Sequence, residues 1–180
     1  MLFRSIGSTT GAVGMAENLN QLIITDGTNG YVSPFTTNAL AQITGTGWLG
    51  SVKVSVLDGY AIFVKPDSQI FYISSVDDAT ILNVLNFASA EGSPDNIVTQ
   101  VADHGQLFLF GASSIEIWDD TGGTDFPFKR NSGARIETGC AAAFSVRKLD
   151  NTVYWLGQDE RGSGIVWKMN GRSEERRVGK

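Results

Sequence analysis

A fourfold recurrence of short paired strands constrains this chain more than any other feature of its sequence. Each repeat begins with an apolar triplet that directly follows a short polar turn. The triplets lie at residues 22–24, 61–63, 107–109 and 153–155. A spacing of roughly 40–46 residues is typical of proteins that stack or circularly arrange one supersecondary unit. The recurrence predicts a repeat protein in which most polar clusters are turns between strands.

A second apolar segment follows each triplet after a short polar connector. These second segments lie at residues 31–35, 69–73, 114–118 and 164–168. The first connector contains Asp26-Gly27 and Asn29-Gly30, and such pairs between β-branched runs favour hairpin turns. Each repeat is therefore predicted to contain an antiparallel hairpin.

Further strands are predicted on either side of these hairpins. They lie at residues 40–43 and 126–129, which follow a hairpin, and at 52–56, 97–101 and 142–146, which precede one. About four strands in roughly 46 residues is the size of a propeller blade. We predict an all-β, β-propeller-like domain over residues 1–171, with four repeats of which the last is incomplete.

Three segments do not fit the repeat. Residues 77–87 are predicted to form a short helix or turn insert, and residues 90–96 a polar loop that bridges two blades. Residues 172–180 carry six charges and resemble a translated sequencing adapter, so we expect a non-native tail without a strand. The chain is thus expected to be a fragment of a protein that continues past Gly171.

Composition argues against several classes of function. The single cysteine, Cys140, permits no internal disulfide and is expected to be a buried apolar residue. The formal net charge of −5 disfavours DNA binding, which depends largely on Lys and Arg contacts to phosphates. The basic pairs at 129–130 and 147–148 are interpreted as isolated solvated residues. No stretch has the length of a membrane span.

Motifs of common enzyme classes are missing from the sequence. The one histidine, His104, occupies the turn before the third triplet and is interpreted as a turn residue. There is no Cys/His cluster for zinc, no phosphate-binding glycine loop and no Gly-x-Ser-x-Gly elbow. We therefore expect no catalytic residue, no metal and no cofactor.

Acidic pairs are the remaining candidates for catalysis. They are Asp77/Asp78, Asp119/Asp120 and Asp159/Glu160. A glycosidase needs two carboxylates about 5–10 Å apart across a sugar bond, but these pairs fall in hairpins or connectors, where Asp typically caps the turn backbone. We interpret them as structural.

A carbohydrate-binding or sialidase-like propeller nevertheless stays open as an alternative. Residues 120–124 are faintly similar to the Asp-box turn of sialidase-like propellers, and Trp118 is a candidate sugar contact. Oxygen ligands for calcium are available from Asp119, Thr121 and Asp125. Trp155 and Trp167, in paired strands, are expected to be core residues.

Several phrases, in their order along the chain, resemble one known family. They lie at residues 20–27, 57–60, 87–96, 102–104, 125–128, 139–142 and 150–162. Together they are similar to the packaged-DNA stabilisation proteins, the tail hubs of short-tailed, podovirus-type phages. The resemblance runs from about Arg4 to Gly171.

This resemblance implies a non-enzymatic head-completion factor in the phage tail, assembled in the host cytoplasm. It implies a homo-oligomeric ring that meets the portal adaptor, the tail needle and the tailspikes and helps to retain packaged DNA. An acidic protein at a DNA exit repels phosphate, so we expect mechanical closure and no sequence-specific DNA binding. The polar segments 91–96 and 159–164 are candidate contacts with neighbouring proteins.

Overall fold

A computed structural model of the chain describes residues 6–8, 11–37, 39–159, 162–169 and 175–177. Within these ranges the regular structure is almost entirely strand, with one 3₁₀ turn at Ala143–Ser145. The strands form four separate sheets, which confirms the all-β, blade-like repeat. No helix in the described part of the chain is long and apolar enough to cross a membrane.

The first two sheets each have four strands in sequential order. Sheet one contains β1 (Gly14–Glu17), β2 (Gln21–Thr25), β3 (Gly30–Pro34) and β4 (Ala41–Gln42). Sheet two contains β5 (Val54–Leu57), β6 (Tyr60–Val64), β7 (Ile70–Val76) and β8 (Asp78–Ser89). The predicted hairpins are β2–β3 and β6–β7, whereas β1 was not predicted.

Sheet three repeats this arrangement, whereas sheet four has five strands, of which β13 and β14 both pair with β15. Sheet three contains β9 (Ile97–Asp103), β10 (Gln106–Gly111), β11 (Ile115–Asp120) and β12 (Phe128–Ile136). Sheet four contains β13 (Gly139–Cys140), β14 (Arg147–Leu149), β15 (Thr152–Asp159), β16 (Gly162–Met169) and β17 (Glu175–Arg177). The predicted hairpins β10–β11 and β15–β16 are present with antiparallel register.

The chain divides into two compact units, each with its own core. The first unit comprises Met1–Pro66 and Phe71–Ala88, and the second comprises Asp67–Ile70 and Ser89–Lys180. The core of the first unit contains Phe63, with Trp48 edge-on at a ring distance of 5.1 Å. The core of the second contains Trp155 and Cys140, both buried as predicted.

The prediction of a helix or turn insert at residues 77–87 is wrong. The segment is the 12-residue strand β8, hydrogen-bonded beside β7 as the fourth strand of sheet two. Short apolar runs do not distinguish strand from helix by periodicity alone. Pairing with β7, which no local pattern encodes, decides in favour of the strand.

Two other segments also differ from expectation. Residues 142–146 form a 3₁₀ turn instead of a strand, and Ser145 closes it by donating its N–H and Oγ–H to the Ala142 carbonyl at 3.0 and 2.7 Å. In the expected tail, Glu175–Arg177 pairs with β16 as a strand. The non-native origin of residues 172–180 stays a prediction.

Candidate functional surfaces

A polar network surrounds the single histidine. His104 has φ 49 in the turn between β9 and β10, in agreement with its predicted position. Its Nδ1 lies 2.8 Å from Asp103 Oδ2, and its Nε2 lies 3.0 Å from Asn151 Oδ1. Lys148 Nζ lies 3.1 Å from Asp103 Oδ1. These contacts tie the β9–β10 turn to the β14–β15 segment, and both ring nitrogens are engaged.

Asp103 is the charged centre of this network. Burial alone would raise the pKa of Asp103, but hydrogen bonds and charge from Lys148 and His104 outweigh it and hold the pKa below its ordinary value. The carboxylate is therefore ionised at neutral pH and forms an ion pair with Lys148. Lys148 is solvent-exposed, as expected, but its ion pair with Asp103 shows that it is not isolated, which corrects that part of the interpretation of the 147–148 pair.

The pair Asp119/Asp120 is engaged in local structure. Asp120 Oδ1 accepts the Gly122 N–H at 2.8 Å, which is the predicted turn cap. Asp119 lies in strand β11 instead of a connector, and its two oxygens accept amide groups of Gln106 and Asn131 at 2.6 and 3.1 Å. The calcium candidate Asp119 thus has both oxygens occupied by protein donors.

Among the described residues, no group of three His, Cys, Asp or Glu is placed to hold a metal ion. Thr121, the second calcium candidate, donates its hydroxyl to the Pro127 carbonyl at 3.1 Å. The third acidic pair cannot be compared, because Glu160 and the side chain of Asp159 lie outside the described residues. The same holds for most of the candidate contact segment 159–164.

The two buried tryptophans, Trp118 and Trp155, are packing residues. Trp155 is buried with its ring 5.5 Å from that of Phe110, as predicted for a core residue. Trp118 is also buried and donates its indole N–H to Glu116 Oε2 at 3.1 Å. A sugar platform needs an exposed ring face, so the geometry does not favour Trp118 as a sugar contact.

The connector 91–96 is fastened within the second unit and is not a free polar loop. Glu116, on β11 and only 4% exposed, accepts the Gly92 N–H through Oε1. Arg130 Nε lies 3.3 Å from Glu116 Oε2, so Arg130 is partly exposed, as expected, but it is paired and not isolated. Asp95 Oδ2 accepts the Ser113 N–H at 2.7 Å. These bonds hold the connector against β11 and the β10–β11 turn, which weakens its candidacy as a partner contact.

Strand β8 presents an uncharged apolar surface. It is the terminal strand of sheet two, and residues 79–90 contain no charged side chain. Its exposed large apolar residues are Ile81, Val84, Leu85 and Phe87, with Leu85 75% exposed. Edge strands are normally protected by charges, proline or bulges, and apolar patches of this kind mark interaction sites. Because residues 77–87 were predicted to form a helix or turn insert, the sequence did not predict this surface.

Comparison with known proteins identifies one family. Residues 2–178 match the family model Phage_stabilise, described as bacteriophage P22 Gp10, beta-propeller. No curated protein matches the chain.

Solved structures similar to this chain agree in fold. They include the computationally designed proteins Ika4 (18% identity, TM-score 0.52, 92% of this chain and 96% of that chain) and Ika8 (18%, 0.51, 92% and 48%). Human WBSCR16 is similar over 99% of this chain and 55% of its own, at 13% identity and a TM-score of 0.54. The chain thus spans about half the length of the Ika8 and WBSCR16 chains. At such identities the likeness concerns the fold alone.

Proposed function

Because this chain belongs to the bacteriophage P22 Gp10 β-propeller family of packaged-DNA stabilisation proteins, we propose that it is a tail hub that completes the head–tail junction. The observation that carries the proposal is the family match over residues 2–178. The order of phrases along the sequence, which resembles phage tail hubs, supports the finer assignment.

The proposed role is structural, without catalysis or a cofactor. Among the described residues that were considered for catalysis, Asp120 caps a turn, Asp119 accepts two amide groups, and His104 belongs to the Asp103–His104–Asn151 network. A formal net charge of −5 opposes tight contact with DNA phosphates. DNA is then retained because the exit is closed mechanically, and sequence-specific DNA binding is not expected.

The proposed assembly is a ring of copies in the tail of the virion, assembled in the host cytoplasm. Its partners are the portal adaptor, the tail needle and the tailspikes, and no membrane is involved. The exposed surface of β8 supports an assembled state, because water contact with four large apolar side chains is unfavourable and a neighbouring copy would remove it. We assign β8 to the contact between copies.

DNA retention provides the direct test. Heads are packaged in cells infected by a phage that lacks its own copy of this gene, with or without the full chain supplied from a plasmid. We expect nuclease-resistant DNA in purified particles only when the chain is supplied and present in the particles. Equal DNA retention without the chain would contradict the proposal.

The β8 contact is tested separately by sedimentation velocity. Leu85→Lys places a charge on the exposed strand and should shift the protein from ring to monomer, while its melting temperature changes little because the residue is exposed. Leu149→Lys, at another exposed leucine on β14, is the matched control and should leave assembly intact. Equal assembly of both variants would exclude β8 from the contact.

A further inference from the structure

A groove at one end of the first unit combines apolar walls with an acidic side. It lies between the turn before β2, the turn after β3 and the turn between β7 and β8, and encloses a cavity of about 340 Å³. We call it the turn groove and define it by Leu19, Asn20, Phe35, Thr36, Val76 and Asp77. All of these residues belong to the first unit.

The walls of the turn groove are unusually apolar for turns. Leu19 is 79% exposed, Val76 53% and Phe35 47%. Turn positions normally carry Gly, Asn, Asp, Ser or Pro, and single exposed apolar residues are normally scattered. Here three large ones surround one cavity, an arrangement that marks an interaction site.

The acidic side of the groove is held in place by hydrogen bonds from the neighbouring turn. Asp77 has φ 54 and accepts the Leu19 N–H through Oδ1 at 3.3 Å. The side chain of Asn20 donates to the Asp77 carbonyl at 3.2 Å. The Asp77 carboxylate is therefore positioned by the backbone of the turn that carries Leu19.

The carboxylate of Asp78, the residue after Asp77, accepts more hydrogen bonds than that of Asp77 does. Its Oδ1 accepts the Gln21 amide at 3.2 Å, and the N–H and hydroxyl of Thr80 at 2.9 and 2.6 Å. Burial alone would raise the pKa of Asp78, but these hydrogen bonds outweigh it and lower the pKa. Within the described ranges, no lysine or arginine forms an ion pair with Asp77 or Asp78.

We propose that the turn groove binds an extended peptide segment of a partner protein that carries a lysine or arginine between apolar residues. The cation lies against Asp77 and Asp78, whose negative charge lacks a cationic partner among the described residues. The flanking apolar side chains pack against Leu19, Phe35 and Val76.

Other ligand classes fit less well. Two adjacent carboxylates repel nucleic-acid phosphates. A bound metal would need further ligands, and no group of three acidic, histidine or cysteine residues occurs among the described ones. The cavity is at the small end of the range for organic ligands, but it has the size of one or two side chains. The inference rests on this geometry and holds whether or not β8 mediates ring assembly.

Fluorescence anisotropy with a short peptide tests the inference on the full chain. The probe is fluorescein-labelled Gly-Leu-Lys-Leu-Lys-Leu-Gly amide, and its controls replace both lysines by glutamate or all leucines by serine. We expect saturable binding of the probe that weakens as salt is raised, and at least about 10-fold weaker binding of either control peptide. Absence of saturable binding, or equal binding of the glutamate peptide, would overturn the proposal.

Substitutions inside and outside the turn groove show where the probe peptide binds. Asp77→Asn keeps the acceptor for Leu19 but removes the charge, and should weaken binding about 3- to 5-fold. Leu19→Ser should weaken it similarly by removing an apolar wall. The matched controls are Asp150→Asn, also a left-handed turn residue with φ 48, and Leu149→Ser, and both should bind as the wild type does.

A substitution at the exposed Thr36 separates a loss of peptide binding from a loss of folding. Thr36 is exposed, so Thr36→Lys removes no packing but adds a like charge beside the bound lysine. We expect weaker binding of the probe with an unchanged melting temperature. If Thr36→Lys and Asp77→Asn both bind as tightly as Asp150→Asn, the peptide does not occupy the turn groove and the proposal is wrong.

Discussion

Replacement of the buried carboxylate at position 116 by an amide should destabilise the second unit strongly. In Glu116→Gln the Oε1 acceptor for the Gly92 N–H is preserved, but the second position becomes an N–H₂ donor. That donor faces the Trp118 indole N–H and Arg130 Nε, which now lie 3.1 and 3.3 Å from Oε2. Two favourable contacts therefore become donor–donor contacts in a site that is only 4% exposed.

The magnitude follows from these two contacts. A hydrogen bond from a buried indole to a charged group contributes roughly 1.5–3 kcal/mol. The Arg130 side chain is 36% exposed, so solvent screens the ion pair and its loss costs only about 0.5–1 kcal/mol. The sum predicts about 3 kcal/mol lower free energy of unfolding, or a melting temperature lower by roughly 6–12 °C.

Urea unfolding followed by far-UV circular dichroism measures this change. Glu137→Gln, at an exposed carboxylate close in sequence, is the matched control and should lie within about 0.5 kcal/mol of the wild type. Because Glu116 also anchors Gly92, Glu116→Ala should speed cleavage after Glu91 by a glutamate-specific protease. If Glu116→Gln costs no more than Glu137→Gln, the assigned hydrogen bonds do not stabilise the fold.

Three further outcomes are expected. Trp155→Ala should cost about 3–5 kcal/mol in urea unfolding, because it leaves a large cavity in the core, and a loss below about 1 kcal/mol would contradict its burial. Gly139→Ala should prevent normal folding, since a Cβ there would overlap the Ala112 carbonyl oxygen, whereas Gly133→Ala, with its nearest atom at 3.7 Å, should unfold at nearly the wild-type urea concentration. The folded-state pKa of Asp103 is lowered, so its stabilisation is present above the unfolded pKa and is lost as pH falls through the folded value. The gap in unfolding free energy between wild type and Asp103→Asn should therefore shrink below about pH 4, and a gap that widens there would refute the assignment.

The hairpins were predictable because the signals for them are local. Left-handed turn residues such as Gly27 and Asp67 lie between the apolar runs of the β2–β3 and β6–β7 hairpins, and a turn of that conformation fixes the register of the two strands it joins. Position next to a triplet also placed His104 in a turn, and residue type placed Cys140 and Trp155 in the interior. Repetition of one hairpin four times then indicated a blade architecture before any contact between strands was known.

The surfaces were not predictable in this way. Whether residues 77–87 form a strand depends on pairing with β7, and whether Asp119 is available for ligands depends on Gln106 and Asn131. The turn groove joins Leu19 to Asp77 across 58 positions of sequence. A periodic pattern reports which side of its own strand a residue occupies, but not which distant residue meets it there.

The sequence alone therefore specified the repeating hairpins, the turn residues and the family resemblance, because each depends on neighbours along the chain. Only the tertiary structure decided which polar groups are satisfied and which apolar ones stay exposed. Glu116 and Leu85 show the difference. The charged residue is buried because Gly92 and Arg130, from two other segments, converge on it beside Trp118 of its own strand, and the apolar one is exposed because it lies on the terminal strand of its sheet.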